Sequence, residues 1–483
     1  MKILLIFLDL YVSPLGFGIL IKQLLDAGHE LKILDIQNPK KAFQDAVDFH
    51  PDFIMASLYT GSHQRMLDFI KDLKESTGCL AFVGGPHPTF FPEVIDEFEF
   101  LDVICRGEGE KAVDSFFQAF EKNNDMPEAI NNLSIRKGDR VFSNDLDPLE
   151  EDLDKNVFAE RQLFYQTYPH MREYPVEWFM ASRGCPFACS YCFNNRNHQI
   201  FGKAWKKVRY RSPQNLVEEI KDVMQYKKID FIEFHDDMFG LKKDWLEKFA
   251  PLYRKEVGIP FFCNTIPSFI NDEYIEKLAY AGLRAASMGI QIYDEKRRIE
   301  LLNRPSTNKD IENGIKTLKK FNIKILTDTM LGLPTTTIED DFKSLAYNRS
   351  LKVDYAWASI FQPYPKTDLA QYCIENGLWD GNVDALPSNL YLKTILNFPE
   401  KQKKQIFILQ SFYSLTAKFY FIRPFVKFLF NFKPFAIYKI VPAFTQSYLL
   451  NFKIYGTKYK FKKIFRLIPM YIRRTFNRLR NIN

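Results

Sequence analysis

The chain opens on an apolar run, KILLIFLD, and then repeats the pattern. Four more short apolar stretches follow in the first 107 residues: ELKILDI, DFIMASL, LAFVGG and LDVICRG. Between them lie segments such as LGFGILIKQLLDAG and HQRMLDFIKDLKEST, whose apolar positions recur at helical spacing. Short buried strands alternating with helices predict a doubly wound parallel sheet, Rossmann- or flavodoxin-like, over residues 1–130. Sheets of this kind bind ligands beyond the C-terminal ends of their strands. Ser57 and Thr60 stand there after the third strand, Gly84, Gly85 and His87 after the fourth, and Gly107 and Glu108 after the fifth. Glycine lets a ligand approach the backbone, and the hydroxyls offer hydrogen bonds. Tight turns in any such domain would use the same residues, so these loops alone leave both readings open.

A polar stretch follows, with NNDMPEAINN and NDLDPLEEDLDK. It reads as a linker over 131–174 with one hairpin. The alternation then resumes over 175–375. Six strands are expected, at EWFMAS, DFIEFHD, PFFCNT, RAASMGIQI, IKILTDTML and DYAWASIF. Helix signals separate them: Ser212 as N-cap with Pro213 at the first helical position, and Gly282 as a stop. Six such units suit an open (β/α)6 partial barrel, whose chemistry gathers at the C-terminal strand ends.

Composition changes the picture at the far end. Hydrophobic residues make up 46% and charged residues 26%, as in folded soluble chains. Residues 401–483 carry 18 of the 66 Lys and Arg but none of the 59 Asp and Glu, so the rest of the chain is net acidic. This basic, aromatic tail over 376–483 is expected to be mainly helical, broken by Pro424, Pro434, Pro442 and Pro469. Lys and Arg among Phe and Tyr suit an anionic membrane surface, the favoured reading. A cap on the barrel is the alternative, and single-stranded nucleic acid is the least favoured partner. Asp9 interrupts the apolar start, no small-residue cleavage site follows it, and no uncharged run approaches the ~18 residues that span a bilayer. The expected compartment is the reducing cytosol, with attachment at the inner membrane face raised by the tail. There, clustered cysteines point to metal rather than disulfides.

Three of the seven cysteines, Cys185, Cys189 and Cys192, crowd into RGCPFACSYCF directly after the first barrel strand. A closed zinc site needs four ligands, which His198 could complete. Iron–sulfur clusters are held by thiolates. Three thiolates on a four-iron cluster leave one iron open for a reactant. Cys79, Cys105, Cys263 and Cys373 lie in apolar contexts and read as inert buried thiols.

Cys-x3-Cys-x2-Cys with Tyr191 before the last cysteine, on this loop, resembles the radical S-adenosylmethionine (SAM) superfamily. The resemblance implies a 4Fe-4S cluster on the three cysteines and SAM chelated by the open iron. An electron from a donor such as flavodoxin or ferredoxin would cleave SAM to a 5′-deoxyadenosyl radical, which abstracts hydrogen from an organic substrate. SPLGFGILIKQLLDAGHELKILD, FVGGPHPTFFPE and DVICRGEGE are similar to the cobalamin-binding domain of one large subgroup. That likeness makes Ser57, Thr60, Gly84, Gly85, His87, Gly107 and Glu108 the implied cobalamin contacts. In the same way Asp236 and Asp237 in FIEFHDDMFG and Arg304 in LLNRPST are implied SAM contacts, with Gln291 at the corresponding fourth-strand end. MLGLPTTTIED resembles the loop near the adenine, and PYPKTDL the turn after the sixth strand.

There are departures from the subgroup. Gln291-Ile292-Tyr293 stands where Glu-Ser-Gly is usual, and Lys366 stands where Gly is common. The Asp-x-His-x-x-Gly cobalt-ligand signature is absent; Asp48-Phe49-His50 lacks the Gly. The favoured activity is cobalamin-dependent methyl transfer to an unactivated carbon, conceivably of a lipid or lipid-linked substrate. Radical cyclisation, oxidation or rearrangement is the alternative, and a zinc- or cluster-bearing binding module the least favoured.

Overall fold

The computed structural model describes residues 1–433 except 9, 11 and 389–392, together with 438, 441, 445 and 454–456. It divides into two compact units, Met1–Tyr174 and Pro175–Asn483.

All five expected strands of the first unit form: β1 (Lys2–Phe7), β2 (Glu30–Asp35), β3 (Phe53–Ser57), β4 (Leu80–Gly84) and β5 (Val103–Cys105). They pair in parallel in the order β2-β1-β3-β4-β5. Leu4, Ile6, Ile54 and Ala56 are fully or nearly fully buried because helices cover the sheet. The stretch read as a linker does more than connect. Its hairpin, β6 (Leu133–Lys137) and β7 (Arg140–Ser143), adds two antiparallel strands beside β5. Leu133 and Ile135 drive this addition, since period-two alternation places both in the core.

The second unit contains the six expected strands: β8 (Val176–Phe179), β9 (Phe231–Phe234), β10 (Phe261–Thr265), β11 (Leu283–Gln291), β12 (Lys324–Leu331) and β13 (Tyr355–Ile360). They lie parallel in chain order, with β8 and β13 as the two edges. Ile232 and Phe234 face the helical layer with Phe179, Phe249 and Tyr253, while Phe231 and Glu233 take the opposite face.

One part of the described tail packs on the sheet. Helix Glu400–Lys418 buries Ile406, Ile408, Leu409 and Tyr413 against Leu331, Phe342, Leu345 and Ile360. It also covers the open edge of the sheet. Gln410 Nε2 donates to the Ala358 carbonyl (3.1 Å) and Ser414 Oγ to the Ala356 carbonyl (2.6 Å). One helical turn thus matches the two-residue repeat of the edge strand and satisfies carbonyls that a bare edge would leave unpaired. Ile454 and Tyr455 are buried too, with Arg284 Nε donating to the Ile454 carbonyl (2.9 Å). The stretch YKFKKIFRLIPMYIRRTFNRLR lies outside the described residues.

Candidate functional site

The cysteine loop begins where β8 ends. Ser182–Arg183 pairs antiparallel with Arg209–Tyr210, and the chain then turns at Gly184. Gly184 has φ +98°, and a Cβ there would lie 2.8 Å from the Trp205 carbonyl oxygen, so the turn requires glycine. The loop is stapled to the segment that carries Arg304. The Ser190 amide donates to Leu302 O (3.0 Å), Ser190 Oγ to Leu301 O (2.6 Å) and Asn303 Nδ2 to Ala188 O (2.9 Å). That segment is itself fixed by Arg298, a fully buried guanidinium that donates to the carbonyls of Ile290, Ile292, Tyr293 and Ser306.

One pocket results at the C-terminal strand ends. Cys185, Cys189, Cys192, Asp237, Gln291 and Arg304 line it together. Arg304 sits among acceptors, with Nε donating to Gly289 O (3.1 Å), Nη1 to Tyr191 Oη (3.3 Å) and Nη1 lying 3.8 Å from Cys189 Sγ. Gly289 makes the space, because a Cβ there would meet Gln291 Nε2 at 2.4 Å and Arg304 Nη2 at 2.8 Å. Gln291 itself has φ +65°, and the strand register shifts at this point.

Asp236 does not join the pocket. Neighbouring residues at a strand end point to opposite faces. Asp237 therefore reaches the pocket, while Asp236 is fully buried behind it. The Asp236 carboxylate accepts from the Ala181 amide (3.1 Å) and from the Ser182 hydroxyl, two residues that lead into the cysteine loop. Burial pushes its carboxyl up to about 6, against the pull of those hydrogen bonds. Asp236 thus holds the residues that lead into the loop and lies outside the pocket lining.

The reading from sequence missed Asn264, Thr265, Ser287 and Asp328 on the pocket wall. Asn264 and Thr265 close β10, while Ser287 and Asp328 are polar residues within β11 and β12, and in Asp328, a charge inside a strand, that signal was available. The Ser287 hydroxyl donates to Asp328, whose carboxyl is pushed up by burial. His198 stays out of the pocket, with Nε2 2.8 Å from the Cys185 carbonyl oxygen. Lys366 has φ +61°, the left-handed conformation that explains why glycine is usual there.

The donor set of the pocket is three thiols, as a cluster held by thiolates uses. Among the described residues no three Cys, His, Asp or Glu side chains converge on one metal-ion position. Burial pushes the Cys185 and Cys192 thiols up to about 12, so only a bound cationic group would hold them as thiolates at neutral pH. Cys79, Cys105, Cys263 and Cys373 are buried elsewhere.

In the first unit the loops after β3, β4 and β5 are stitched into one rim. Leu58 N donates to Gly84 O (2.8 Å), and Thr60 Oγ1 lies 3.1 Å from His87 Nδ1. Gly107 N donates to Thr89 Oγ1 (2.9 Å), and Asn132 Nδ2 to Glu108 O (2.9 Å). The rings of His63 and His87 stack at 3.9 Å. Gly85 has φ +95°, and its Cβ would fall 2.4 Å from Ser57 Oγ. The glycine thus lets two loops close on each other. Ser57, Thr60, Gly84, Gly85, His87, Gly107 and Glu108 therefore lie along one edge of the sheet, at the C-terminal ends of β3, β4 and β5.

Residues 180–346 match the Radical SAM superfamily, and residues 1–117 match the B12 binding domain. The chain is a radical SAM enzyme with an N-terminal cobalamin-binding domain. Its cofactors are a 4Fe-4S cluster, SAM and cobalamin. Among curated relatives, an uncharacterized methyltransferase of Pyrococcus horikoshii is 27% identical over 372 residues, covering 76% of this chain and 79% of its own. The anaerobic magnesium-protoporphyrin IX monomethyl ester cyclase of Rubrivivax gelatinosus is 26% identical, covering 64% of this chain and 55% of its own. Among solved structures, the radical SAM methyltransferase TsrM from Kitasatospora setae superposes with a TM-score of 0.63 at 16% identity, over 78% of this chain and 76% of that one. That similarity shows a shared fold.

Proposed function

We propose that this radical SAM enzyme is a cobalamin-dependent methyltransferase acting on an unactivated carbon. The observation that carries the reading is the convergence of Cys185, Cys189 and Cys192 with Arg304, Gln291 and Asp237 in one pocket, in a chain that also has a cobalamin domain. Both the Pyrococcus relative and the TsrM structure bear the name methyltransferase. When bound, the cluster supplies the electron that cleaves SAM, and cobalamin supplies a carrier for the methyl group.

The chain's own residues do the holding. Cys185, Cys189 and Cys192 retain the iron. Arg304 and Asp237 offer a cation and an anion to the zwitterionic methionine end of SAM. Gln291, Asn264 and Ser287 offer neutral hydrogen bonds. Asp236 fixes the approach of the cysteine loop. Ser57, Thr60, Gly84, Gly85, His87, Gly107 and Glu108 form the cobalamin side. A flavodoxin- or ferredoxin-type donor would supply electrons. The basic tail favours a lipid or lipid-linked substrate and attachment at an anionic membrane face. No helix among the described residues is long and apolar enough to cross a membrane.

The test is the ratio of SAM products under anaerobic, reconstituted conditions. Methyl transfer uses one SAM as methyl donor and another as radical source, so S-adenosylhomocysteine and 5′-deoxyadenosine should form in equal amounts. The cyclase relative favours a second reading, radical oxidation or ring closure without methylation. That reading gives 5′-deoxyadenosine alone.

A further inference from the structure

Beyond the cap helix the chain turns outward in an unusual way. Residues 418–433 contain no acid. Ile422, Val426, Leu429 and Phe430 pack inward, and two cations lie against Phe342. The Arg423 guanidinium lies 5.2 Å from the Phe342 ring centre and the Lys427 ammonium 4.8 Å, and Lys427 also pairs with Glu339 (3.1 Å). Val426 is buried beneath them. The rings face outward: Phe419, Phe421, Phe425, Phe428 and Phe432 are all exposed, Phe421 by 80%. Phe421, Phe425, Phe428 and Phe432 recur at spacings of four, three and four, which is one face of a helical path. Lys418 and Lys433, both exposed, stand at the two ends of the stripe.

We propose that this stripe is a membrane-docking face that inserts its phenylalanine rings into an anionic bilayer surface. A soluble protein does not ordinarily gather so many exposed rings in one stripe, because each exposed ring forgoes the gain of burial. A second protein could cover the rings, but the charge around them selects the occupant. The stripe has a lysine at either end and lies within residues 401–483, which hold 18 Lys and Arg and no Asp or Glu. That combination matches a sheet of anionic headgroups over acyl chains, where rings enter and lysines stay at headgroup level. The segment Arg423–Leu429 is far too short to span, so it would lie along the surface. This inference gives a location to the membrane attachment offered above and rests on that part of the reading. It does not depend on methyl transfer.

The test is flotation of the full-length protein with vesicles, in the absence of SAM and substrate. Vesicles of equal parts phosphatidylglycerol and phosphatidylcholine should carry the wild type upward, and phosphatidylcholine alone should carry little. The variant F421S/F425S/F428S should bind the anionic vesicles at least about tenfold more weakly. Its circular dichroism and melting should match the wild type. Should the triple variant fold poorly, Phe421→Ser alone, at the most exposed ring, should still lower binding severalfold. Three results would overturn the proposal: no flotation of the wild type, undiminished flotation of the variants, or a wild-type dimer that these substitutions dissociate. The assay reads lipid binding without turnover, so its failure and a failure to methylate are separate results.

Discussion

The phenol of Tyr455 donates a hydrogen bond to the carboxylate of Glu233, 222 residues earlier in the chain. Its ring packs 4.7 Å from that of Phe231. Glu233 in turn lies 3.0 Å from His235 Nε2, and the His235 ring packs against that of Trp178, 4.0 Å between centres and tilted by 42°. A segment of the basic tail therefore completes a polar cluster on the opposite face of the sheet from its helical layer. Tyr455→Phe should destabilise the cofactor-free protein by roughly 1–3 kcal/mol, because it strips a donor from a buried carboxylate. Urea unfolding checks this. An unchanged midpoint would mean that the tail does not support the barrel through this contact.

Cys189→Ala should lose most of the iron after anaerobic reconstitution and abolish 5′-deoxyadenosine formation, since thiolates retain the cluster. Cys373→Ala, at a buried thiol outside the pocket, should keep both. Iron analysis and chromatography of SAM products distinguish the two. Retained cleavage in the Cys189 variant would contradict the assignment.

Gly85→Ala should damage the cobalamin rim through the protein's own chain. The new Cβ would collide with Ser57 Oγ and press on the Leu58 backbone, at a φ of +95° that alanine avoids. We expect a loss of roughly 1–3 kcal/mol in stability and at least about tenfold weaker cobalamin uptake, read from the visible spectrum. Iron content should not change.

Asp236 sets a pH dependence. Its folded pKa of about 6 lies above the unfolded carboxyl value near 3.8, so the folded state holds the proton more tightly. Stability is then fully present below the unfolded value and falls as pH rises through about 4 to 6. Asp236→Asn keeps an acceptor for the Ala181 amide and removes the titration. The variant should therefore gain on the wild type by roughly 2–4 kcal/mol across that window in the cofactor-free protein. Parallel unfolding curves from pH 4 to 7 would contradict a buried carboxyl.

Much of this was legible in the sequence because the strands are short and almost wholly apolar, and because Cys185, Cys189 and Cys192 are close in the chain. The rest was hidden for physical reasons. The hairpin in the linker is legible, but LSIRK carries two charges in five residues, and its alternation is too brief to announce that the hairpin extends the sheet. Asp236 and Asp237 are adjacent and chemically alike, and only the strand's alternating direction separates a positioning residue from a pocket residue. Asn264, Ser287 and Asp328 come from three strands and share no local spacing. In the tail, charge pointed to a membrane along its whole length. The structure divides that length, since Gln410 and Ser414 hold one part against a sheet edge while Phe421 and its neighbours face outward.

Isotope labelling follows methyl transfer by this radical SAM enzyme from donor to product. The reconstituted protein would be given SAM with a trideuterated methyl group and a lipid extract under anaerobic reduction, with products read by mass spectrometry. The account predicts a product in which one hydrogen is replaced by one trideuteromethyl group, formed with 5′-deoxyadenosine and absent in Cys189→Ala. A product that loses hydrogen or closes a ring, with no deuterium gained while 5′-deoxyadenosine accumulates, would contradict it.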